Sequence, residues 1–203
     1  MEEIVYKVGN SLYINATNKC TNNCVFCVRT YKNDIYGDLW LDREPTVDEV
    51  LFELKKFDLN KFKEVVFCGF GEPTYRLDVI EKISEYVHSK GKPTRINTNG
   101  HGSKINGRDI SQIMVDNIDT IGISLNEVTP EAYQEICKSV YKEDGFTIMI
   151  DFAKACVKKG GHVVFSVVDS IGPEKIAGAK EIAKEVGADL RIRELIKEDG
   201  SNR

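Results

Sequence analysis

The sequence predicts an α/β protein, an open and partial (β/α)6 barrel of the TIM type with parallel strands. Three observations carry that expectation. Short apolar strands alternate with amphipathic helices along the whole chain. The strands lack strict period-2 alternation, as expected when both faces are covered. The 203 residues hold six such units, whereas a closed eight-fold barrel takes about 250 residues. A doubly wound sheet satisfies the same pattern, and periodicity alone does not separate the two.

The elements follow in order. Leu12 to Ala16 reads as the first strand, running into Thr17-Asn18-Lys19-Cys20. Pro45, Thr46 and Glu49 form a capping-box pattern ahead of Val47, Val50, Leu51, Leu54 and Phe57 at helical spacing. Glu64 to Cys68 is a second strand ending in Gly69-Phe70-Gly71, and a helix follows over Leu77 to Ser89, stopped by Gly91. Thr94 to Thr98 is the third strand, with a short helix near Asp109 to Val115. Ile118 to Leu125 is the fourth, followed by Thr129 as N-cap and Pro130 in the first helical position. Met149, Phe152, Ala153 and Cys156 mark a helix face closed by Gly160-Gly161. His162 to Val168 is the fifth strand, Pro173 opens a helix that Gly187 ends, and Ala188 to Leu195 is the sixth.

The composition, 41% hydrophobic and 30% charged, is that of a globular protein. With no linker or low-complexity stretch, residues 1–203 read as a single core domain without an accessory domain, the tail from Lys197 to Arg203 being polar. A net charge of -4 offers no electrostatic case for nucleic-acid or membrane-surface binding. No apolar run approaches the roughly 18 residues of a membrane span. The N-terminus carries acidic residues where a signal peptide carries basic ones, so a cytoplasmic location is expected.

Of the six cysteines, Cys20, Cys24 and Cys27 are clustered, while Cys68, Cys137 and Cys156 are scattered. In a reducing compartment a tight cluster points to metal rather than to disulfides. A structural zinc wants four ligands, and its fourth here would be a distant residue such as His88, His101 or His162. An iron–sulfur cubane held by three thiolates leaves one iron open for a substrate or cofactor. The triplet follows the first strand, at the carboxyl end where parallel α/β folds build their sites. Among the other cysteines, Cys68 reads as a packed small residue, Cys156 as core and Cys137 as half-buried filler. The histidines read as surface or capping residues. Arg29 and Arg76 are candidates for meeting an anionic substrate.

The segment Cys20-Thr21-Asn22-Asn23-Cys24-Val25-Phe26-Cys27, a CxxxCxxC with an aromatic residue before the third cysteine, resembles the radical S-adenosylmethionine superfamily. The resemblance implies that Cys20, Cys24 and Cys27 are the catalytic metal ligands of a 4Fe–4S cluster. The open iron is then chelated by S-adenosylmethionine, and Phe26 meets the adenine. Gly71-Glu72-Pro73 matches the family's Gly-Gly-Glu-Pro motif, with Phe70 in place of the first glycine. Asn97-Thr98-Asn99-Gly100 is similar to the Thr-Asn-Gly that ends the third strand. By the same resemblance Glu72 and the Gly71 backbone hold the methionyl amine, Pro73 and Asn99 are further cofactor-binding residues, Ser124 and Asn126 take ribose or carboxylate, and Ser166 ends the fifth strand beside the cofactor. Arg193 and Leu195 end the sixth near the adenine.

The combination of residues 10–15, Leu39-Trp40-Leu41, Val66 to Gly69 and Arg95 to Gly100 looks closest to the TatD-family-associated branch. That branch name implies a functional link to a TatD-type hydrolase. The activity implied is reductive cleavage of S-adenosylmethionine to a 5′-deoxyadenosyl radical that abstracts hydrogen from an unidentified substrate, with a flavodoxin or ferredoxin as electron donor. A glycyl-radical activase acting on a partner protein, and a non-catalytic metal-binding module, are the alternatives. Six units leave a wide lateral opening, so a large substrate or a protein is expected to cover the site. The loop from Arg29 to Asp42 is the candidate lid.

Overall fold

The computed structural model describes residues 3–30 and 38–194. Seven strands form one sheet in the order in which they occur in the chain. They are β1 (Val5–Val8), β2 (Ser11–Ile14), β3 (Glu64–Phe67), β4 (Thr94–Thr98), β5 (Thr120–Ser124), β6 (Val163–Val168) and β7 (Asp189–Arg193). From β2 to β7 every pairing is parallel. A doubly wound sheet reverses its strand order part-way. This one never does, so the helices lie on one side and the sheet is the expected partial barrel.

One strand departs from the expected six. β1 pairs antiparallel with β2 through a turn at Gly9-Asn10, with Val5 opposite Ile14 and Val8 opposite Ser11. Gly9 there has φ +56°, a left-handed conformation that glycine tolerates. The sheet is thus parallel except at this edge.

The helices are α1 (Val47–Leu54), α2 (Leu77–Ser89), α3 (Gly102–Ile105), α4 (Ser111–Asn117), α5 (Pro130–Cys137), α6 (Asp144–Lys158) and α7 (Pro173–Val186). Their starts follow local chemistry. Thr46 and Glu49 close a reciprocal capping box on α1. Thr129 caps α5 by accepting from Ala132 N–H, with Pro130 in the first turn. Asp109 accepts from Ser111 N–H at 2.8 Å ahead of α4.

The core lies between helices and sheet. Leu12, Ile14, Phe67, Ile96, Ile121, Ile123 and Phe165 are buried against Val50, Ile80, Ile83, Met149, Phe152 and Ala179. Each such side chain stabilises the fold by roughly 1.5–3 kcal/mol relative to exposure. The alternate residues Tyr13, Asn97, Gly122, Ser124, Val164 and Ser166 face the barrel interior and are half-buried. On that inner face Arg95 pairs with Glu64 at 3.0 Å, and Glu64 also accepts from Ser11 Oγ. No helix among the described residues is long and apolar enough to cross a membrane.

Candidate metal and cofactor site

The cysteine loop leaves the end of β2 and is pinned on two sides. Towards α5, Asn23 N–H donates to Cys137 O and Val25 N–H to Ile136 O, both at 2.9 Å, while Val140 N–H donates to Thr21 O. The last carbonyls of a helix have no partner inside the helix, and this loop supplies two of them. Towards β3, Glu72 N–H donates to Lys19 O at 2.7 Å. A Cβ on Gly71 would stand 2.6 Å from Lys19 O and closer still to Thr17 O. Glycine is therefore needed at this motif position because the cysteine loop itself crosses there.

All six cysteines are free thiols. Cys20, Cys24 and Cys27 are half-buried at the head of the barrel. Burial, then the nearby Glu72 carboxylate, pushes the Cys20 thiol up to about 12. Cys24 is raised by a hydrogen bond with the Cys137 thiol and by burial, and Cys27 by burial. Cys20 Sγ accepts from Asn22 N–H at 3.4 Å and faces Asn99 Nδ2 at 3.8 Å.

Glu72 is 3% exposed, and burial raises its pKa. Its Oε1 accepts from Thr74 N–H, Thr74 Oγ and Thr98 Oγ, and its Oε2 from Asn99 N–H at 2.7 Å. The carboxylate thus joins the loop after β3 to the end of β4, and Oε2 keeps one lone pair for a further donor. Pro73 is buried at the start of the short turn that Glu72 caps.

Asn99 extends the network into the cysteine loop. Its Nδ2 donates to Thr21 Oγ1 at 2.8 Å, and Thr21 Oγ1 lies 2.9 Å from His101 Nδ1. His101 Nε2 lies 2.9 Å from Gly145 O, a pure acceptor, so the proton sits on Nε2 and Nδ1 accepts from Thr21. Burial lowers the pKa of His101 to about 4. His101 is no surface residue: it stands at the N-cap position of α3, is fully buried, and its side chain ties the cysteine loop to the start of α6.

Asn126 follows β5 with φ 61° and is 2% exposed. Its Nδ2 donates to Cys137 Sγ at 3.3 Å, while its Oδ1 is buried without a partner. Asn22 Oδ1, inside the cysteine loop, is likewise buried and unpaired. Ser124 and Ser166 are register partners on the inner face. Phe26 is half-buried beside Cys27. The Trp40 and Phe70 rings meet edge to face at 5.2 Å, which gives Phe70 a packing role where the motif has glycine.

Other expectations fare differently. Cys156 is core, as read. Cys137 is fully buried rather than half-buried filler, and it touches Cys24. Arg76 is taken up by Asp78, Ala16 O and Pro45 O. Arg29 folds back onto Asn22 O and Asn23 Oδ1. Most of the lid segment, residues 31–37, lies outside the described residues, as does Leu195.

The donor set fits a cluster: three soft sulfur donors suit a polynuclear iron–sulfur centre, each thiolate on its own iron. The two orphaned asparagine oxygens and the spare lone pair of Glu72 then call for a polar ligand beside it.

A partial barrel with such a thiol triplet at its carboxyl face defines an iron–sulfur α/β protein. The Radical SAM superfamily model matches residues 14–186, and the chain belongs to that superfamily. Membership implies a 4Fe–4S cluster and S-adenosylmethionine as cofactors. A relative named as a probable GTP 3′,8-cyclase from Methanocaldococcus jannaschii is 28% identical over 190 residues, which cover 92% of this chain and 59% of the relative. The chain therefore spans about three fifths of that relative's length. Among solved structures, a radical SAM methyltransferase from Sphaerobacter thermophilus superposes with TM-score 0.70 at 13% identity, covering 95% of this chain and 59% of that one. Streptococcus suis SuiB bound to S-adenosylmethionine gives 0.61 at 20% identity, covering 89% of this chain and 37% of that one. These likenesses show the shared fold.

Proposed function

We propose that Cys20, Cys24 and Cys27 hold the cluster, and that the protein uses it with S-adenosylmethionine to abstract a hydrogen atom from a substrate admitted through the open side of the barrel. The carrying observation is the convergence of three thiols, an unpaired Asn126 Oδ1 and a partly free Glu72 Oε2 at one end of the sheet. Bound together, cluster and cofactor supply a one-electron cleavage of the sulfonium carbon–sulfur bond that yields 5′-deoxyadenosyl radical and methionine.

The chain's own residues bind and orient. Glu72 Oε2 accepts from the methionyl ammonium while its other bonds hold Thr74, Thr98 and Asn99 in place. Gly71 and Pro73 fix the path of that loop. Asn126 Nδ2 gives one of its two N–H groups to Cys137, and its unpaired Oδ1 offers an acceptor to a ribose hydroxyl. Ser124 and Ser166 are the inner-face hydroxyls for the remaining polar groups, and Phe26 covers the adenine.

The finer placement in the TatD-associated branch rests on the residues of the segments that resemble it, and the link to a TatD-type hydrolase on that branch's name; the segments also meet in the fold. Asn15 Nδ2 donates to Leu39 O at 2.7 Å, and Gly69 packs directly on Asn15. The substrate of the cyclase relative is not carried over, because much of that protein has no counterpart here. The six free thiols are consistent with a reducing, cytoplasmic setting, and the cluster's one-electron reduction calls for a donor such as a flavodoxin or ferredoxin.

Anaerobic reconstitution followed by iron and sulfide analysis tests the ligand assignment. Single serine replacements of Cys20, Cys24 and Cys27 are expected to abolish the cluster, and retention of wild-type iron in any of them overturns it.

A further inference from the structure

We propose that Arg193, at the carboxyl end of β7, anchors an anionic group of the substrate, a carboxylate or a phosphate, beside the cofactor. The proposal rests on the reading that a substrate enters through the open side of the barrel.

Register fixes the position. Ser166 pairs with Arg191 and Val168 with Arg193, so both arginines share the inner face with Ser124 and Ser166. Leu190, of the opposite parity, packs against the core. Arg193 therefore stands one pleat beyond the level of Ser166, on the carboxyl side.

Its partners are missing where other arginines have theirs. Arg95 gives Nε and Nη2 to the two Glu64 oxygens at 3.1 and 3.0 Å, and Nη1 to Asn97 Oδ1. Arg76 holds Asp78 and two carbonyls, and Arg29 holds Asn22 O and Asn23 Oδ1. Arg193 Nε is buried without a hydrogen-bond partner. Among the described residues no Asp or Glu pairs with Arg193. Asp189, at the other end of β7, meets His162 at 3.0 Å, and Glu194 is exposed.

Chemistry names the ligand class. A guanidinium stays charged in a protein, and burial works against that charge here. A half-buried cation without a counter-ion is unfavourable until an anion arrives. Nε–H and an Nη–H lie side by side on one edge and match two oxygens of a carboxylate or phosphate. An adenine nitrogen accepts one N–H and leaves the charge uncompensated, so the base of the cofactor does not meet this demand.

The test is anaerobic calorimetry of inorganic phosphate and of acetate, with and without saturating S-adenosylmethionine, on reconstituted wild type, Arg193→Gln, Arg193→Lys and Arg108→Gln. At least one anion is expected to bind wild type, phosphate marking a phosphoryl group and acetate a carboxylate. Arg193→Gln is expected to weaken it about 10–100-fold. Lysine keeps the charge without the fork and is expected to fall between. Arg108 is exposed between α3 and α4, and its replacement leaves binding unchanged. Wild type that binds neither anion, or Arg193→Gln that binds as wild type does, overturns the proposal. Competition between the anion and S-adenosylmethionine also overturns it, since the arginine then serves the cofactor. So does an Arg193→Gln protein that melts well below wild type, which would make the side chain structural. Wild-type protein that forms no cluster overturns the ligand reading instead, and the same titrations on that cluster-free protein still decide the role of Arg193.

Discussion

The Glu72 carboxylate accepts the backbone N–H of Asn99 at 2.7 Å, joining the loop after β3 to the end of β4. Its other oxygen accepts Thr74 and Thr98. The motifs that end β3 and β4 therefore meet on one buried acid.

Glu72→Gln tests that dependence. An amide has one acceptor oxygen where the carboxylate has two, so its N–H₂ must face a donor, either Asn99 N–H or the threonine hydroxyls. A hydrogen bond to a charged group is worth about 1.5–3 kcal/mol. Affinity for S-adenosylmethionine, measured by calorimetry under anaerobic conditions, is expected to fall about 10–100-fold while iron content holds. Unchanged affinity would show that the carboxylate is dispensable.

Gly71→Ala probes the other crossing. The new methyl would meet Lys19 O at 2.6 Å, with Cys20 next in sequence, so the cysteine loop must move. Iron and sulfide per chain are expected to fall severalfold. Gly178→Ala is the control, since its Cβ makes ordinary contact with Val128 at 3.4 Å inside α7. That variant should load fully and gain roughly 0.5–1 kcal/mol in stability.

His101 makes stability depend on pH. Its folded pKa of about 4 lies below the unfolded value of 6.5, because burial disfavours the imidazolium. Below pH 6.5 the unfolded chain takes up a proton that the folded protein refuses until about pH 4. The contribution is therefore fully present above 6.5 and lost as pH falls towards 4. Between pH 7 and 5, wild type is expected to lose on the order of 2 kcal/mol more than His101→Gln in urea unfolding. Equal losses would contradict a neutral buried imidazole.

Much of this architecture was legible where chemistry is local. The capping box of Thr46 and Glu49, the Thr129-Pro130 start and Pro173 each mark their helices within the sequence itself. The cysteine spacing marks the metal loop in the same way. β1 escaped because its four residues carry little periodic signal, although Gly9-Asn10 ahead of an apolar stretch is a hairpin cue. His101 and Cys137 escaped for a different reason. Their burial is decided by partners such as Thr21, Gly145 and Asn126, which no local pattern brings together. The close approach of the cysteine loop to Gly71 is likewise a tertiary contact that no local pattern announces.

The most direct test of the central claim is the fate of S-adenosylmethionine on anaerobically reconstituted, dithionite-reduced protein. The account predicts 5′-deoxyadenosine and methionine in equal amounts, dependent on reductant, absent from the Cys20→Ser, Cys24→Ser and Cys27→Ser proteins and retained in Cys156→Ala. Fully loaded, reduced wild-type protein that leaves S-adenosylmethionine intact would contradict it.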